Sequence, residues 1–131
     1  MKNKIIAVDF DGTLCEDKYP EIGKENYAVL SYILCEQIDG AKIILWTCRR
    51  GELLDNAIEW CKKWGLIFDA VNENLPEFIE KFGGDTRKIF ADIYIDDRSV
   101  NPNTSMVKTT VTKPSFNRPI IKNIRKEIKN G

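Results

Sequence analysis

Two kinds of segment alternate along the chain. Residues 4–9 (KIIAVD) and 42–47 (KIILWT) are short, continuously apolar and rich in β-branched side chains. A run of that length without polar alternation reads as a strand buried on both faces. Between them, Ile22, Tyr27, Leu30, Ile33, Leu34 and Ile38 recur every three to five residues, and Gly40 follows. This predicts an amphipathic helix over residues 21–39, closed by a glycine. Residues 49–65 predict a second helix from Leu53, Leu54, Ala57, Ile58, Cys61 and Trp64, with Gly65 at its end. Residues 66–74 (LIFDAVNEN) predict a third short strand and its exit loop. Asn74 is placed to cap a short helix through Phe82, with Pro76 in its first turn and Gly83-Gly84 beyond it. A fourth strand is expected around residues 93–96, a fifth at 105–112 (SMVKTTVT) and a last helix over 119–129.

Strand and helix in alternation mean an α/β domain, a parallel sheet with helices on its faces. Crossovers in such sheets are right-handed, and ligands sit beyond the carboxyl ends of the strands. Asp9 ends the first strand, Thr47 the second, and Asp96-Asp97 the fourth. The topology therefore lines up three acids and a hydroxyl on one edge, with Asp11 two residues beyond Asp9. At 131 residues the chain fits one domain, able to bury roughly two thirds of its unfolded surface.

Charge and cysteine usage narrow the function classes. Lys and Arg number 20, as do Asp and Glu, so no global field points to nucleic acid or a membrane. Residues 108–131 carry seven bases against one acid, Glu127. No aromatic interleaving accompanies them, which favours the solvated face of a last helix over a partner site. There is no histidine, and the four cysteines at 15, 35, 48 and 61 form no CxxC pair, which disfavours zinc. The apolar run at the N-terminus is too short for a signal peptide, and no stretch is long enough to span a bilayer. Reduced thiols in a cytoplasmic protein are the expectation.

Acids gathered at one edge repel one another and call for a cation. Hard divalent ions take oxygen ligands, and Mg2+ uses carboxylates together with waters and substrate phosphate. Asp9, Asp96, Asp97 and the backbone carbonyl of Asp11 are the candidate ligands. Thr47 offers a hydroxyl to a phosphate and Lys88 a full charge. Backbone N–H groups in the Phe10-Asp11 turn and at Cys48, just after Thr47, can complete an anion cradle. With phosphate in place, one acid of the Asp9/Asp11 pair can attack phosphorus and the other can carry the proton. Without histidine, acid–base work near neutral pH falls to a carboxyl group.

"DFDGTL" at 9–14, "LWT" at 45–47, Lys88 and "YIDDR" at 94–98 together resemble the four motifs of the haloacid dehalogenase-like (HAD) hydrolase superfamily, over about residues 4 to 101. The resemblance implies a Rossmann-like fold and a magnesium-dependent phosphohydrolase. It implies Asp9 as nucleophile, Asp11 as general acid/base, Thr47 and Lys88 as phosphate holders, and Asp96 and Asp97 as metal residues. The intervals between motifs leave no room for a cap domain, so a capless member is expected. Its open site suits a large phosphorylated substrate, or a small one enclosed by a partner. Two other readings stand beside it: a non-catalytic module binding magnesium and a phospho-ligand, and a phosphatase of nucleotides or nucleic-acid ends. The motifs specify neither the leaving group nor the oligomeric state.

Several neighbouring residues have plainer roles open to them. Lys81 is the rival to Lys88. Arg49, Arg50 and Arg98 can reach a substrate or can be surface residues. Trp60 and Trp64 are expected in the core, and Cys48 is expected to fill space as a small apolar side chain, because no histidine stands by to activate it.

Overall fold

In the computed structural model, residues 4–102 are described. The chain separates into a unit Met1–Ser99 and a second from Val100 onward; the account below concerns the first. The expected fifth strand, the last helix and the basic stretch lie outside the described residues.

Four strands form a parallel sheet in the order β5-β4-β1-β6: β1 Ile5–Val8, β4 Lys42–Leu45, β5 Ala70–Val71 and β6 Ile93–Ile95. Every residue of β1 is buried, as its continuous apolar run requires. In register, Ile6 lies between Ile43 and Ile93, and Val8 between Leu45 and Ile95. These side chains face the larger core, which also holds Leu30 and Ile33 of α1 (Tyr27–Ile38) and Ala57 and Cys61 of α2 (Gly51–Lys63). Ile5, Ala7, Ile44 and Ala70 face the other side, where Leu75, Ile89 and Phe78 of α3 (Pro76–Phe82) pack. The result is the expected Rossmann-like α/β fold with helices on both faces of the sheet. Among the described residues no cap domain interrupts it, and no helix is long and apolar enough to cross a membrane.

Two acids start the sheet. The Asp92 carboxylate accepts the Ile5 N–H at 2.8 Å, and the Asp69 carboxylate accepts the Ile43 N–H at 2.8 Å. Each satisfies a strand-end donor that the ladder leaves over.

Two local expectations are corrected. Residues 21–25 are not helical. β2 (Cys15–Lys18) and β3 (Glu21–Glu25) pair antiparallel as a hairpin turning at Tyr19-Pro20. Gly23 permits the close pairing, since a Cβ there would lie 2.9 Å from the Glu16 carbonyl carbon. The helix begins only after Asn26, whose side chain accepts the Val29 N–H at 3.4 Å. Nor does Asn74 cap α3, whose N-cap is Leu75. Asn74 is buried, and its amide donates to Asp85 Oδ1 at 2.8 Å and accepts the Phe90 N–H at 2.8 Å. Trp60 and Trp64 pack on the larger core as expected, Trp60 edge-on to Phe10 at 5.5 Å.

Candidate functional site

Because β4, β1 and β6 are adjacent and parallel, their carboxyl ends share one edge. The chain leaves β1 at Asp9, β4 at Trp46-Thr47 and β6 at Asp96-Asp97. A cleft of about 650 Å3 opens there, lined by residues that include Asp9, Asp11, Thr47, Cys48 and Asp96, with Tyr19 of the hairpin turn at its rim.

Asp9, Asp96 and Asp97 each present a carboxylate oxygen within 4.8 Å of the others. Asp9 and Asp96 are half-buried and Asp97 is exposed. Gly12 makes room for the group. A Cβ at Gly12 would overlap the Asp97 carboxylate and lie 2.9 Å from its Cγ, and the backbone there has φ +82°. Both observations call for glycine. The Asp9 carboxyl is pushed up to about 6, first by burial and then by the charges of Asp96, Asp97 and Asp11; the Phe10 N–H, donated to Asp9 Oδ1 at 2.7 Å, opposes the rise. Three converging oxygens, and an acid destabilised by its neighbours' charge, fit a hard divalent cation.

Beside the acids, the Thr47 hydroxyl accepts the Arg49 N–H at 3.1 Å, so its own hydrogen is left to donate into the cleft. The Thr47 N–H goes to Asn72 Oδ1 at 2.8 Å. Asn72 stands just past β5 with φ +56°, a left-handed conformation that asparagine tolerates better than most residues. The Phe10 N–H, expected in an anion cradle, is engaged by Asp9, while the Cys48 N–H has no protein partner among the described residues.

Asp11 is held apart from the acid cluster. Arg49 Nε donates to Asp11 Oδ2 and Arg49 Nη2 to Asp11 Oδ1, both at 2.8 Å. Nη2 also donates to the Glu21 carbonyl at 2.9 Å and Nη1 to the Leu53 carbonyl at 3.3 Å. The guanidinium carbon lies over the rings of Phe10 and Tyr19, at 5.0 and 5.1 Å from their centroids. The Asp11 hydrogen bonds raise the Arg49 pKa above its ordinary value, so its charge is permanent.

The site thus brings together Asp9, Asp11, Thr47, Cys48, Asp96 and Asp97. It does not bring Lys88. That side chain is exposed, its Nζ 5.7 Å over the Tyr94 ring, and it lines a separate pocket with Phe82, Phe90 and Tyr94. The segment before β6 enters from the far end of the strand, where the Tyr94 hydroxyl bonds the Ile89 carbonyl. Arg98 is the cation that lines the cleft together with the acids. The Asp11 side chain is likewise outside the metal cluster, since Arg49 takes both its oxygens. Cys48 is exposed at the cleft rather than filling the core, whereas burial keeps Cys61, at about 12, from acting as a thiolate. Asn72 and the buried role of Arg49 were missed. The αL-tolerant asparagine at a strand's carboxyl end was a usable signal for the first. Nothing local marks which of Arg49 and Arg50 turns inward.

No protein-family model matches the chain, and no curated protein matches it. Among solved structures it is similar to a conserved protein of Bacteroides thetaiotaomicron, with 41% sequence identity over 94% of this chain and 89% of that one, at a TM-score of 0.65. At that identity and coverage, the chain belongs to the family of that conserved protein.

Proposed function

We propose that the protein is a magnesium-dependent phosphohydrolase of the HAD type that cleaves a phosphomonoester through an aspartyl-phosphate intermediate. The observation that carries the reading is the convergence of Asp9, Asp96 and Asp97 at adjoining strand ends, in one cleft with Thr47 and Asp11. Asp9 Oδ1 is fixed by the Phe10 N–H, leaving Oδ2 to attack phosphorus. As that bond forms, the bond to the leaving oxygen breaks, and Asp11 supplies the leaving group's proton. Asp11 then takes a proton from the water that attacks the phosphoryl group, and the bond from phosphorus to Asp9 breaks, restoring the Asp9 carboxylate and freeing inorganic phosphate. Thr47 Oγ1, the Cys48 N–H and Arg98, all from residues lining the cleft, would bind the phosphate oxygens. Asp9, Asp96 and Asp97 would hold Mg2+, which supplies positive charge against the phosphate oxygens. With exposed thiols at Cys35 and Cys48, a cytoplasmic location suits the protein.

Phosphate release from para-nitrophenyl phosphate and a panel of phosphorylated metabolites tests this. Turnover that needs Mg2+ and is abolished by Asp9→Asn is expected, together with loss of joint magnesium and fluoroberyllate binding. A fully active Asp9→Asn variant, or a folded wild type inert toward every phosphoester, overturns it. One observation favours a second reading, that of a non-catalytic module for magnesium and a phospho-ligand: both Asp11 oxygens are taken up by Arg49. Tight phospho-ligand binding without hydrolysis is its signature.

A further inference from the structure

We infer that Arg49 is a positioning residue for proton transfer, holding Asp11 at the leaving-group side of the cleft. This rests on the phosphohydrolase reading and goes beyond it by assigning the residue that governs the proton carrier. An acid at the end of a turn has free rotation about two side-chain bonds, and the three acids of the metal cluster stand close by. Left alone, Asp11 could swing toward the cation and be lost as a proton carrier. The forked bond at 2.8 Å to each oxygen removes that freedom. The fork is itself anchored. The Arg49 side chain is fully buried, while Asp11 keeps 18% of its side-chain surface exposed. Carbonyls of β3 and α2 accept two of the three remaining guanidinium hydrogens, and the rings of Phe10 and Tyr19 stand within about 5 Å of it.

The arrangement leaves proton transfer possible. Each carboxyl oxygen has two lone-pair sites, and the fork uses one on each. The outward site on either oxygen can carry the proton. When the phosphorus–oxygen bond of the substrate breaks, its electron pair goes to the departing alkoxide, which takes that proton. The carboxylate so formed faces a permanent cation. A lysine at position 49 keeps a charge but not the planar fork, so the carboxyl regains its freedom.

The test uses leaving groups. Nitrophenolate departs without needing a proton; an alkoxide does not. The kcat/KM values of wild type, Arg49→Lys and Arg49→Ala are measured on para-nitrophenyl phosphate and on β-glycerophosphate. That parameter reports the steps through departure of the alcohol, and the ratio of the two substrates cancels any loss of folded enzyme. Arg49→Lys should lose about 100-fold on β-glycerophosphate and less than about threefold on para-nitrophenyl phosphate, in line with the usual worth of general acid catalysis. Guanidinium added to Arg49→Ala should restore the alkyl substrate preferentially. Equal losses on both substrates, with no selective rescue, overturn the inference and leave the phosphohydrolase reading intact. A wild type inactive on both overturns the two together.

Discussion

Asp9 is half-buried and sits among like charges, and the effect on its carboxyl has a sign that can be worked out. Its carboxyl titrates near 6 in the folded protein against 3.8 ordinarily. Between those values the native state holds a proton that the unfolded chain has released. Stability is therefore fully present below the ordinary value and falls as pH rises through about 6. In EDTA, the thermal midpoint of the wild type should drop between about pH 4 and pH 6.5, and Asp9→Asn should flatten that stretch of the profile. Magnesium reverses the trend, because it binds the ionised form and competes with the proton. Its stabilisation should be larger at about pH 7.5 than at pH 5 in the wild type, and absent in Asp9→Asn. A wild-type profile in EDTA that rises over this range would show that Asp9 is not the group out of balance. The acids themselves were legible in the sequence because strand ends are fixed by an apolar run of known length. The partners were not. Arg49 and Arg50 are equivalent on paper, and the direction each takes depends on how the hairpin folds over the chain leaving β4.

The hairpin shows why one whole element was missed. Ile22 extended the apolar spacing of α1 backward, and that pattern outweighed Gly23 and the Asn26 cap. Yet glycine in a helix interior costs about 1 kcal/mol relative to alanine, and asparagine ahead of an apolar repeat is a start signal. Those local signals favoured a helix beginning at Tyr27. Where such punctuation agreed with periodicity, as for α2, the limits fell within two residues of expectation. Asn74 was misread for the opposite reason: a capping residue stood two positions before a proline and the tertiary alternative was invisible. Its amide instead ties the chain before α3 to residues 85–90 after it, through Asp85, Thr86 and Phe90. Asn74 is itself buried, and removing its amide leaves all three partners without it at once. Asn74→Ala should cost about 1–3 kcal/mol in chemical denaturation, and the Phe90 N–H should exchange faster with solvent. An unchanged midpoint with unchanged exchange would mean that the connection is held by the aromatic contacts of Phe78, Phe82 and Phe90 alone.

At the scale of the described unit, one layer of four strands serves two cores of unequal size. The same β4 that gives Ile43 and Leu45 to the larger core gives Ile44 to the smaller one. Damage on one face should therefore be felt on the other, because no strand can leave one core and remain in its partner. Ile44 is fully buried and lies level with Ala7 and Ala70, both small. Little surrounds it that can collapse into a gap, so Ile44→Ala should cost about 2–5 kcal/mol. Of the three tryptophans, Trp60 and Trp64 pack on the opposite core and Trp46 stands at the cleft. In a Trp46→Phe background, fluorescence therefore reports the face that the substitution does not touch. The fluorescence and far-ultraviolet circular dichroism midpoints should coincide in denaturant, before and after the change, and both should fall by the same amount. A fluorescence midpoint left in place while the circular dichroism midpoint falls would mean that the faces melt separately. In that case the strand ends carrying Asp9, Thr47 and Asp96 would not be held by the sheet as a single unit.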